Sequence, residues 1–140
     1  GTAVLLRNFQ KVICIDPYES GYDDRDGNSI KKRLGIAEEL WNIRFFDHPS
    51  VELRRERSLE AAKAFSESSI DFCFIDAGHS YDAVKSDIEA WISKIRPGGI
   101  ISGDDYDWRS DGVKNAVSEI FGGDVQLIQN RIWFHKIAQE

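Results

Sequence analysis

The apolar and polar positions of this chain change period along its length, and the changes mark its elements. Val12-Ile13-Cys14-Ile15 is a short β-branched run that stops at Asp16-Pro17, because proline has no N–H to give a strand ladder. Glu19 to Ser29 is rich in Gly, Asp and Tyr and predicts a loop. Ser29 is placed to cap a helix whose apolar positions Ile30, Leu34, Ala37, Leu40 and Trp41 recur at helical spacing. Val51 to Arg55 predicts a short strand, and Ser58 opens the strong helix-forming run Leu59 to Phe65.

Phe72 to Ile75 is a continuous apolar run, the pattern of a strand covered on both faces. Helical spacing returns from Ser80 to Ile95, with Val84, Ile88, Trp91, Ile92 and Ile95 on one side. Pro97-Gly98-Gly99 predicts a sharp turn feeding a strand at Ile100 to Ser102. Gly112 to Phe121 is an amphipathic helix, and Val125–Ile128 with Ile132–His135 predicts a terminal hairpin turning at Asn130-Arg131. Strands alternating with helices imply an α/β fold, with a doubly wound, mostly parallel sheet and a C-terminal antiparallel hairpin. No repeat or linker interrupts the pattern, so residues 1–140 are expected to form one domain.

The formal net charge of −6 argues against a nucleic-acid partner, which needs clustered Lys and Arg. No apolar stretch approaches the roughly 20 residues that span a bilayer, so no membrane partner is expected. Cys14 and Cys73 both lie in strand-like apolar runs and are expected as buried free thiols. That fits a reducing compartment, and the expected location is cytoplasmic.

In parallel sheets, ligands bind beyond the carboxyl ends of the strands. Asp16, the segment Asp76 to His79, and Asp104-Asp105 all fall at such ends. Charged groups there are costly unless they serve a ligand, a metal or a proton transfer. Asp16 can accept hydrogen bonds from ribose hydroxyls; the competing reading is an ordinary strand-end carboxylate before a turn proline. Asp76, Asp104 and Asp105 would raise one another's pKa unless a cation such as Mg²⁺ neutralised them, though one of them can instead cap a loop. His79 suits a general base at neutral pH, against a helix-start histidine bonded to a carbonyl. Tyr81, Tyr106 and Trp108 are candidates to line a pocket, while Trp91 and Trp133 belong to the core. Tyr22 to Gly27 suggests a calcium loop but has Arg33 where the bidentate glutamate should stand, so it reads as an acidic loop.

From Ser58 to Trp133 the sequence resembles class I S-adenosylmethionine-dependent methyltransferases, and most closely the O-methyltransferases of methyltransferase family 24. The residues that carry the resemblance are Asp71-Phe72-Cys73-Phe74-Ile75-Asp76-Ala77-Gly78-His79-Ser80-Tyr81 and Arg96-Pro97-Gly98-Gly99-Ile100-Ile101-Ser102-Gly103-Asp104-Asp105-Tyr106. Asp87-Ile88, Trp91, Gly112-Val113 and, upstream, Ile13-Cys14-Ile15-Asp16-Pro17 fit it as well. The resemblance implies a Rossmann-like sheet. It further implies Asp76, Asp104 and Asp105 as Mg²⁺ ligands, His79 with Asp76 as the catalytic pair, and Asp16 on the cofactor ribose. Tyr18, Ser58, Asp76 and Thr2 would complete the S-adenosylmethionine contacts. Glu56-Arg57-Ser58 departs from the family's Gly-Asp-Ser. The family's first strand and Gly-rich loop should precede a helix at Thr2 to Phe9, and the chain starts where that loop would end. The expectation is a chain truncated at its N-terminus, in which Ala3 to Arg7 can alternatively form a strand.

Two functions follow. One is a metal-assisted O-methyltransferase acting on a small-molecule hydroxyl. The other is a truncated, non-catalytic domain that binds no cofactor; either can form a homo-oligomer. A nicotinamide-dependent oxidoreductase is the weaker third reading, since no Gly-x-Gly-x-x-Gly fingerprint is present.

Overall fold

A computed structural model of the chain describes residues 2–21, 26–27 and 30–139. These form two compact units, residues 1–61 and 62–140. Ser29 and the Tyr22–Arg25 part of the acidic loop lie outside the described residues.

The first unit contains α1 (Thr2–Leu5), β1 (Val12–Ile15), α2 (Lys31–Phe45) and β2 (Val51–Arg54). α3 (Ser58–Ala62) follows at the boundary in sequence. β1 and β2 pair in parallel, Val12 opposite Val51 and Ile15 opposite Arg54. Asp16 N–H extends the ladder by donating to the Arg54 carbonyl at 3.1 Å. α1 is shorter than the helix expected to Phe9, and the chain turns from Leu6 to Asn8. Residues 3–7 therefore do not form the alternative strand. Ile30 takes the N-cap position of α2, with no side-chain cap. The predicted helix is present, but its apolar positions are not all covered: Leu40 and Ile43 are exposed, as is Phe46 just beyond its end.

The second unit carries β3 (Ile70–Ile75), α4 (Tyr81–Ile92), β4 (Ile95–Gly103), α5 (Gly112–Phe121), β5 (Gln126–Ile128) and β6 (Ile132–Lys136). Its sheet has the order β3-β4-β6-β5. β3 and β4 are parallel, and β6 is antiparallel to both β4 and β5. The expected α/β class, with parallel pairs and a C-terminal antiparallel hairpin, is thus observed. Ser80 caps α4 by accepting from Ala83 N–H at 3.3 Å. The apolar faces of α4 (Val84, Ile88, Trp91) and α5 (Val113, Ala116, Val117) are buried. Ile101 of β4 and Trp133 of β6 are fully enclosed beside them.

Three local expectations are corrected here. Pro97-Gly98-Gly99 lies inside β4 as an irregularity and not as a turn before it, and Ile95 already belongs to this strand. Gly98 takes φ +77, and a Cβ on Gly99 would come within 2.9 Å of the Asp71 carbonyl, so two glycines let the strand bend without breaking. The helix after Ser58 ends at Ala62 and does not reach Phe65, whose ring packs edge-on against Trp91 at 5.1 Å. The apolar run of β3 is not covered on both faces: it forms the edge of its sheet, and Phe74 is 39% exposed.

Candidate functional site

The parallel register of β3 and β4 sets Ile75 opposite Gly103, so Asp76 and Asp104 leave the sheet side by side. Asp104 N–H donates to the Ile75 carbonyl at 3.1 Å, which holds the two strand ends together. Gly103 permits this approach. A Cβ there would lie 2.6 Å from the Ile75 carbonyl oxygen and 2.7 Å from the Trp133 ring. Asp105 follows in the left-handed region at φ +59, with its N–H donating to Asp104 Oδ1 at 2.8 Å. This local bond stabilises a conformation that costs an L-residue energy.

One carboxylate oxygen from each of Asp76, Asp104 and Asp105 can be chosen so that all three lie within 4.8 Å of one another. His79 is buried at 6% exposure. Its Nε2 lies 3.0 Å from Asp105 Oδ2, and its ring stacks on Trp108. Asp76, Gly78, His79, Asp104 and Asp105 line a small depression at the end of β3, with Trp133 also on its wall. The electrostatics differ within the cluster. Burial of its carboxyl group, then the neighbouring Asp104 and Asp105, push the Asp76 pKa up, although the residue as a whole keeps access to solvent. Hydrogen bonds from Arg131 hold Asp104 below the usual carboxylate range.

The donor set fits a hard divalent cation in kind and number, since Mg²⁺ takes a few carboxylate oxygens and fills its other positions with water or substrate. However, both oxygens of Asp104 already accept from the Arg131 guanidinium, at 2.7 and 3.0 Å.

In the first unit, Asp16 ends β1 and its Oδ1 accepts from Tyr18 N–H at 2.7 Å. Tyr18 has φ +51. Burial, followed by the charge of Asp16, pushes the Tyr18 phenol up to about 12. Thr2 Oγ1 lies 3.2 Å from Cys14 Sγ. Ser58 is the first residue of α3, and Arg57 before it donates from Nε and Nη2 to the single oxygen Glu19 Oε2, at 2.9 and 2.6 Å.

The structure therefore gathers Asp76, His79, Asp104 and Asp105 in the second unit, and pairs Asp16 with Tyr18 in the first. Of the three expected pocket aromatics, only Trp108 packs on a site residue. Tyr81 donates to Glu119, and Tyr106 Oη lies 3.3 Å from Ser118 Oγ, so both are tied to α5. Arg131 escaped the sequence reading, which gave it only a place in the hairpin turn. A lone arginine between two strands carries no spacing signal.

The model of the methyltransferase family 24 domain matches residues 2–106, and the chain belongs to that family. An uncharacterized protein of Sinorhizobium fredii, y4gI, is 35% identical over 60 residues, covering 43% of this chain and 7% of its own length. The O-methyltransferase NovP superposes with TM-score 0.64 at 14% identity, over 92% of this chain and 60% of that one. A TDP-rhamnose 3'-O-methyltransferase of calicheamicin biosynthesis gives TM-score 0.56 at 19% identity, over 90% and 58%. At these identities the structural likeness is one of fold. The chain spans about three-fifths of the length of these solved relatives.

Proposed function

We propose that this chain is part of an S-adenosylmethionine-dependent O-methyltransferase acting on a small-molecule hydroxyl, with a divalent cation such as Mg²⁺ at the acidic cluster. The observation that carries the reading is the buried His79–Asp105 pair set beside the carboxylates of Asp76 and Asp104. When bound, S-adenosylmethionine supplies an electrophilic sulfonium methyl group, and Mg²⁺ makes a nearby hydroxyl more acidic. His79 takes the hydroxyl proton. A hydrogen bond from its Nε2–H to Asp105 fixes the tautomer whose basic atom is Nδ1, and the carboxylate stabilises the imidazolium that forms. Asp76, Asp104 and Asp105 hold the cation, and Asp76 orients the reacting group.

Asp16 serves the cofactor ribose through the carboxylate oxygen that Tyr18 N–H does not occupy. Tyr18, Ser58 and Thr2 are assigned to the remainder of the cofactor. The free thiols Cys14 and Cys73 suit a cytoplasmic setting, and among the described residues no helix is long and apolar enough to cross a membrane.

Calorimetry with S-adenosylhomocysteine tests the reading. Saturable one-to-one binding is expected. A folded protein that gives no heat with it removes the enzyme reading and leaves the non-catalytic one.

A further inference from the structure

Arg131 belongs to the turn between β5 and β6. Gln129 and Asn130 take φ +52 and +56, and Arg131 N–H donates to the Ile128 carbonyl at 3.1 Å, the geometry of a tight hairpin turn. The turn is fastened to the loop after β4 twice. Tyr106 N–H donates to the Arg131 carbonyl at 2.8 Å. The guanidinium meets Asp104 as a fork, Nε on Oδ1 at 2.7 Å and Nη2 on Oδ2 at 3.0 Å, with Nη2 also 3.7 Å from Asp105 Oδ1.

We infer that Arg131 is an internal competitor for the cation site: it holds the Asp104 carboxylate and must release it for a divalent ion to be bound by Asp76, Asp104 and Asp105. This rests on the reading of those three carboxylates as a cation site. The physical case has three parts. A planar fork engages both oxygens of one carboxylate at once, so it competes for the same lone pairs. A guanidinium a few ångströms from a divalent ion also repels it directly. Finally, the Arg131 side chain is 60% exposed, so it can swing into water without disturbing the core. The same fork offsets one of three crowded negative charges, which lets the strand ends approach without any ion. Arg131 thereby sets the concentration of cation at which the site fills.

Mn²⁺ binding, followed by the loss of its free-ion paramagnetic signal, tests this in wild type, Arg131→Gln and Arg131→Lys. Arg131→Gln is expected to bind Mn²⁺ about tenfold more tightly, the order expected from removing one nearby unit charge at a partly exposed site. Arg131→Lys, which keeps the charge but loses the fork, should fall between. Equal, measurable affinity in all three overturns the competition and leaves the cation site standing. No Mn²⁺ retained by any of them overturns both. A second measurement needs no variant: Mg²⁺ titrated into wild type should move the Arg131 Nε–H resonance to the position of a solvent-exposed arginine. A resonance unmoved while Mg²⁺ binds overturns the proposal.

Discussion

His79 and Trp108 lie face to face, with ring centroids 4.2 Å apart and planes 19° from parallel. The imidazole is thus held on one side by an indole and at Nε2 by Asp105, which restricts both its position and its rotation. The Trp108 indole N–H is buried with no hydrogen-bond partner among the described residues. A buried N–H of this kind, left without a partner, costs about 1–3 kcal/mol. Trp108→Leu removes both the stack and the unpaired N–H. Its folding stability should fall by about 1–2 kcal/mol, because the lost stack and the smaller buried side chain together outweigh relief of the N–H. Methyl transfer by the full protein should fall on the order of tenfold to a hundredfold, in kcat more than in KM, as misplacing a catalytic group does. Trp108→Phe keeps a ring and should recover most of the rate. Urea denaturation and steady-state assays check both halves; an unchanged kcat in Trp108→Leu would remove the positioning role.

Gly112 opens α5 directly against the turn that carries His79. A Cβ there would collide with the His79 carbonyl oxygen and lie 2.8 Å from Tyr81 N. Backbone atoms on both sides cannot yield as a flexible side chain can. Gly112→Ala should therefore cost about 1–3 kcal/mol in urea unfolding, and it should lower methyl transfer by shifting His79. Gly35, within α2, has nothing within 4 Å of its missing Cβ. Gly35→Ala should stabilise by roughly 0.5–1 kcal/mol. A Gly112→Ala protein as stable as wild type would show that α5 does not pack tightly on the His79–Tyr81 turn.

Polar residues at strand ends were legible because a chain seldom places aspartate beside a buried run without a purpose. Asp76 and Asp104-Asp105 could be assigned to one edge from sequence because β3 and β4 were each visible as apolar runs. What sequence did not reveal depends on partners distant in the chain. Gly99 lies against the Asp71 carbonyl across the ladder, a partner that sequence does not show, so Pro-Gly-Gly reads there as a turn. Phe65 leaves the helical run to pack on Trp91, a tertiary contact that overrides its neighbours' helix propensity. Phe74 sits in a run that reads as fully covered, yet its strand is the edge of the sheet. Arg131 reaches Asp104 only because of the hairpin's length and the pairing of β6 with β4.

Burial, and then the charge of Asp87, push the Cys73 thiol up from about 9 to about 12. The folded pKa lies above the unfolded one, so the contribution to stability is complete below about pH 9. It is lost as pH rises toward 12, since ionisation of the thiol favours the unfolded chain. Urea midpoints of wild type and Cys73→Ala, measured from pH 8 to 11, should converge or cross as wild type loses this advantage. Native Cys73 should also react slowly with thiol reagents at pH 8, where an exposed cysteine reacts readily. A constant difference between the two midpoints across that range would mean that the thiol does not titrate as its surroundings require.

Asp16 performs one task visible in the structure and is assigned a second by the proposed function, and the two can be separated. Its Oδ1 accepts from Tyr18 N–H at 2.7 Å and so supports the left-handed backbone of Tyr18. Burial, more than any neighbour, pushes its pKa up, which means that the charged form is disfavoured in this fold. Asn keeps the acceptor oxygen for Tyr18 and carries no charge. Asp16→Asn should therefore melt at or above the wild-type temperature at pH 7. Asp16→Ala, which leaves the Tyr18 N–H without this acceptor, should melt lower, by the equivalent of about 1 kcal/mol. A ribose diol, by contrast, gains most from a charged acceptor. Both variants should then bind S-adenosylhomocysteine at least tenfold more weakly than wild type in calorimetry, with Asp16→Asn doing so from an intact fold. If Asp16→Asn bound as tightly as wild type, Asp16 would be a turn residue alone, and the cofactor ribose would have to be held elsewhere.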